Sequence, residues 1–113
     1  RAEYGVRVGA LPDGGVVVAG TARVGEREEI VVSRYDRDGA RLWERRVPAA
    51  DGGETRLGQM TRSPEAVGGI LVCGTAPLPS GPSGPRGHAF AACLEESGRI
   101  RWRHRLEASG PGE

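Results

Sequence analysis

At 113 residues the chain has the length of one ordinary domain, and its 16 basic against 15 acidic side chains leave a net charge of +1. So balanced a composition gives no field to recruit nucleic acid, a membrane surface or an acidic substrate. No apolar run reaches the eighteen or so residues of a membrane-spanning helix.

Glycine and proline supply 19 and 8 residues, a content that overlaps low-complexity disorder. The glycines fall between strongly apolar runs, however, and so read as turns. All the basic residues are Arg, and Lys and Asn are absent, which reads as codon bias in a GC-rich genome. The N-terminal residues Arg1-Ala2-Glu3-Tyr4 carry neither an initiator Met nor the apolar core of a signal peptide, so the chain reads as a processed or excised piece.

Tyr4 to Leu11 is the first expected strand, ended by the turn formers Pro12-Asp13-Gly14-Gly15. Val16 to Thr21 follows, and its three consecutive valines mark a strand covered on both faces, since a strand wet on one face alternates apolar with polar. Ala22 to Glu28 reads as a charged loop. Glu29 to Tyr35 reads as a third strand with an apolar run at Ile30, Val31 and Val32. After the tight turn Asp36-Arg37-Asp38-Gly39, Arg41 to Val47 forms a fourth strand whose charged side chains suit an outer edge.

Residues 48–54 read as a linker, after which the four-strand pattern restarts. Arg56 to Arg62, Gly69 to Thr75, His88 to Leu94 and Arg99 to Leu106 answer the four strands in turn, and 107–113 reads as a frayed tail. Pro12 matches Pro64 at an offset of 52, Gly20-Thr21 matches Gly74-Thr75 at 54, and Tyr35, Gly39 and Trp43 match Leu94, Gly98 and Trp102 at 59. The offset is constant within strands and changes only at loops, as insertions do in duplicated units. Residues 4–47 and 55–106 are therefore two copies of one unit.

The fold class expected is all-β: two four-stranded antiparallel meanders. Each resembles a bacterial β-propeller blade of the PQQ-like or kelch-like sort. The resemblance is carried by Asp13, Gly14, Gly15, Gly20, Thr21, Asp38, Gly39 and Trp43, then by Gly68, Gly69, Gly74, Thr75, Gly98 and Trp102. The second copy departs from it at Glu96-Ser97-Gly98, which lacks the Asp. The resemblance implies a ring of about four to eight blades. Two blades alone leave two apolar faces in water, so the chain is expected to form a homo-oligomer, as a homotrimer or a tetramer, or to join additional blades.

The resemblance also implies a ligand face built from 22–28, 48–54 and 76–87, with Arg23, Arg27, Arg86 and His88 as loop candidates for a protein or small-ligand partner. On the innermost strands Arg7, Arg56, Gln59 and Arg62 are candidates for lining a channel. Trp43 and Trp102 suit either sugar stacking, the basis of a lectin-like alternative, or packing; their repetition at one position of the unit favours packing.

Asp36-Arg37-Asp38-Gly39 lacks the oxygen ligands of a calcium loop. Cys73, His88, Cys93 and His104 lack zinc spacing. Pairing the middle strands as a hairpin sets Cys73 diagonal to Cys93, where a disulfide is conceivable but two small apolar thiols serve as well. With no nucleophile elbow, no phosphate loop and no triad context, the chain reads as a non-catalytic binding scaffold without a cofactor. Membership of a larger sensor or repeat protein is a further alternative.

Overall fold

A computed structural model of the chain describes residues 3–63, 69–81, 84–86 and 88–106. The expected tail, 107–113, lies outside them, as do Pro64 and Gly68. The described residues form no helix. They make ten strands: β1 (Glu3–Ala10), β2 (Val16–Val24), β3 (Arg27–Tyr35), β4 (Arg41–Val47), β5 (Arg56–Arg62), β6 (Ile70–Thr75), β7 (Leu78–Gly81), β8 (Gly84–Arg86), β9 (Ala89–Leu94) and β10 (Ile100–Leu106).

β1-β2-β3-β4 form one four-stranded antiparallel sheet and β5-β6-β9-β10 a second, while β7 and β8 pair as a hairpin apart from both. The turns explain the order. Leu11/Gly15, Asp36/Ala40 and Glu95/Arg99 are each closed by a backbone hydrogen bond of 2.8 to 2.9 Å around three residues whose last is Gly with φ near +90°. This is a type I turn with a glycine bulge, which joins neighbouring antiparallel strands. Ser97 replaces the Asp of the first copy, yet Gly98 keeps the same turn.

Two expectations are corrected. The charged stretch 22–28 is not a loop: β2 and β3 stay paired out to Val24↔Arg27, leaving only Gly25-Glu26 to turn. Charge interrupted the apolar pattern there without interrupting the backbone ladder. In addition, 76–87 contains the β7–β8 hairpin, an element the proline content had hidden.

The two sheets have the same register, residue for residue. Ala10↔Val16 and Val8↔Val18 in the first correspond to Arg62↔Ile70 and Met60↔Val72 in the second. Val16↔Tyr35 corresponds to Ile70↔Leu94, and Tyr35↔Arg41 to Leu94↔Ile100. Both irregularities recur as well, one in the first strand of each sheet and one at the start of the fourth, at Leu42 and Arg101.

This common register gives each sheet two distinguishable faces. On the front of the first sheet lie Val17, Ala19, Thr21, Ile30, Val32, Arg34, Trp43 and Val47. On its back lie Val16, Val18, Gly20, Val31, Ser33 and Tyr35. The corresponding back of the second sheet is Ile70, Val72, Gly74, Phe90, Ala92 and Leu94.

The core is built from the front of the first sheet and the back of the second. Val17, Ala19, Ile30, Val32 and Val47 are buried in one cluster with Ile70, Val72, Phe90, Ala92 and Leu94. Each large side chain among them contributes about 1.5–3 kcal/mol by leaving water. The sheets therefore stack front to back.

Candidate functional site

The junction between the sheets is organised from the first strands outward. β1 lies against β5, and Arg7 Nε donates to the Gly58 carbonyl at 3.3 Å. Next, Leu57 N donates to Thr21 Oγ1 at 2.8 Å.

Toward the outer edge the Arg34 side chain, only 5% exposed, is held by the Asp13 carboxylate at 2.9 Å and by Glu96, whose carboxylate stands at 3.5 Å. Both carboxylates are more than half exposed, so solvent screens the attraction and its main effect is to fix orientation. The Gly15 amide hydrogen bond, and then the Arg34 side chain, hold the Asp13 carboxyl below its ordinary value of 3.8.

Trp43 finishes the junction. Its ring lies over Gly98 and its Nε1 donates to the Glu96 carbonyl at 3.0 Å. A Cβ on Gly98 would stand 2.7 Å from that ring, so the turn glycine here serves packing as well as backbone conformation. Arg45 Nε then donates to the Gly98 carbonyl at 2.8 Å. Trp43 is thus engaged between the sheets rather than offered as a sugar platform.

The crossover from β4 to β5 is fastened at both ends. Thr55, fully buried, accepts from Ile30 N and donates to the Val47 carbonyl. Asp51 meets Arg105 at 2.9 Å. That pairing first, and the Gly53 amide second, lowers the Asp51 carboxyl below 3.8.

The loop candidates separate. Arg23 is exposed on β2, and Arg27 donates to the Gly52 carbonyl of the crossover. Arg86 lies on β8, with its side chain outside what is described. His88 is not displayed to a partner: it is 4% exposed, and among the described residues neither ring nitrogen has a hydrogen-bond partner. Its register equivalent, Glu29, is buried too but holds Arg46 at 2.8 Å. The Arg105 equivalent of Arg46 turns instead to Asp51 and to the Ala76 carbonyl.

Of the channel candidates Arg7, Arg56, Gln59 and Arg62 are all exposed on the adjoining strands β1 and β5. Arg7 is bonded across to Gly58, and Arg56 is paired with Glu28 at 2.6 Å. Arg45, Arg46 and Arg103 line a wide basin at the outer rim; Arg46 is paired with Glu29, while Arg45 and Arg103 each donate to a backbone carbonyl, those of Gly98 and Pro48.

Cys73 and Cys93 are free thiols, one exposed and one buried. The pairs Leu71↔Cys93 and Cys73↔Ala91 set them diagonally on one face. Among the described residues no group of three or more His, Cys, Asp or Glu side chains is placed to hold a metal ion.

What sequence reasoning did not find is a groove on the back of the first sheet. Val6, Val18, Gly20, Ala22, Val31, Ser33, Tyr35, Arg41 and Glu44 line about 220 Å³. Beside it, Val8 is 66% exposed and Leu42 and Val6 about half exposed. The signal was present in the valine run of β2, which predicts cover on both faces; only the structure shows which face lacks it. No protein-family model, no curated protein and no solved structure matches the chain.

Proposed function

We propose that the chain is a non-catalytic β-propeller module whose two sheets are consecutive blades, and that further copies or further blades complete a ring that serves as a scaffold for protein or ligand binding. The observation that carries this reading is the front-to-back stacking of two sheets in one register. It leaves unlike faces at the two ends, the back of the first sheet and the front of the second. An interface between unlike faces cannot saturate itself in a symmetric pair; it continues until a rotation closes it. Blade stacking in a propeller has this geometry, with the first strands innermost, as β1 and β5 adjoin here.

Three chains complete about six blades and four about eight, and the smaller ring is the preferred reading. No side chain is assigned a catalytic or cofactor-binding role. The test is native mass across a concentration series, for the wild type and for Val18→Glu, which puts a charge in the open groove. The wild type should have a multiple of the single-chain mass. Val18→Glu should have the mass of one chain with an unchanged circular dichroism spectrum. A wild type that stays at one chain mass at every concentration removes self-assembly from the reading.

A further inference from the structure

We propose that the back of the first sheet is a docking surface for the front of the second sheet of another copy of this chain, joined through Trp102 seated on Gly39. The proposal rests on the stacking reading above and names its partner and contacts.

The internal junction supplies a template, because its described positions have register equivalents on the back of the first sheet and the front of the second, where Cys93 is already buried. Trp43 covers Gly98 and donates to the Glu96 carbonyl; its equivalent is Trp102, and theirs are Gly39 and Arg37. Gly39 has φ +89° with no described residue within 4 Å of where a Cβ would stand, whereas Gly98, at φ +91°, has the Trp43 ring there. Gly39 thus keeps the turn conformation on which the ring sits at Gly98. Trp102 is half-buried and stacked on His104 with ring centroids 5.3 Å apart, on the front of its sheet.

Three further polar contacts carry over in kind. Arg7 donating to the Gly58 carbonyl becomes Gln59 donating to Val6. Thr21 accepting from Leu57 N becomes Thr75 accepting from Gly5 N. Arg45 donating to the Gly98 carbonyl becomes His104 donating to Gly39. Leu71 and Ala91 then face Val18 and Val31 across the groove.

The ion pairs do not carry over. The equivalent of Arg34 is Cys93, and Arg46 is already held by Glu29. The junction between copies consequently has fewer ion pairs than the one within the chain, and its strength should depend little on salt.

Mixing two blocked variants tests it. Trp102→Glu, with Ala91→Glu as a second version should the first fail to fold, blocks only the front of the second sheet. Val18→Glu, with Ser33→Glu as its second version, blocks only the back of the first. Each folded variant alone should have the mass of one chain, and an equimolar mixture should form a dimer and nothing larger. Gly39→Ala should remain folded and weaken wild-type association by at least about tenfold, since its Cβ would meet the arriving ring.

Dimers formed by either blocked variant alone would show like faces pairing, which overturns the junction and leaves stacking intact. A wild type that stays at one chain mass also overturns the junction. In that case a tandem fusion of two copies separates the two ideas. A single cooperative unfolding transition at higher temperature than one copy supports stacking, and a fusion no more stable than one copy sinks both.

Discussion

Gly39 and Gly98 occupy the same turn position with nearly the same φ, and differ only in what stands beside them. Gly39 faces open space, and Gly98 faces the Trp43 ring. Replacing either with Ala imposes the left-handed backbone on a side chain, at about 1–3 kcal/mol. Gly98→Ala must also displace the indole that joins the sheets. In single-chain conditions, chemical denaturation should therefore show Gly98→Ala more destabilised than Gly39→Ala, with the excess abolished in a Trp43→Ala background. His88 shows the opposite situation at residue scale, a buried imidazole with no hydrogen-bond partner among the described residues. The sequence offered it as a displayed ligand because His beside a Gly/Pro-rich insertion reads as a loop. Burial there was decided by the stacking of the sheets, which no local pattern encodes.

Among the elements, the crossover between β4 and β5 has the most consequence for its length. It carries the chain from the outer edge of one sheet to the first strand of the next, and Thr55 anchors it. That hydroxyl answers a buried amide of β3 and a carbonyl of β4 at once. Thr55→Val keeps the shape and leaves both groups without their partner, so it should cost about 1–3 kcal/mol. Thermal unfolding should register the loss, and Thr55→Ser should recover most of it. The sequence reading marked 48–54 as a linker from its composition. It could not see the anchor, because one Thr after Gly-Gly-Glu has no distinctive pattern. The strands themselves were legible to within a few residues, because β-branched runs bounded by Gly turns have few alternatives. The exceptions were the ends of β2 and β3, where Arg and Glu occupy ladder positions, and the β7–β8 hairpin.

For the whole molecule, the outer half of the junction depends on carboxylates. Asp13 and Asp51 are both held below 3.8 in the folded chain, Asp13 by the Gly15 amide and Arg34, and Asp51 by Arg105 and the Gly53 amide. Between the depressed and ordinary values the unfolded chain binds more protons than the folded one. Their contribution is therefore fully present above the ordinary carboxylate range and is lost as pH falls through the folded values. Denaturation followed from pH 6 down to pH 2 should show stability falling at the acid end. Asp51→Asn should flatten that fall without altering the plateau slope near neutrality.

The all-β class and the strand order within the two sheets were determined by the sequence alone, because turn glycines and apolar runs act through local backbone and solvent preferences. Which face of each sheet is buried was decided only in the tertiary structure. Val17 and Val18 are chemically identical neighbours, and alternation along a strand sends one into the core and the other into an open groove. The three valines raised the expectation of cover on both faces; among the described residues the stacking of the two sheets supplies it on one.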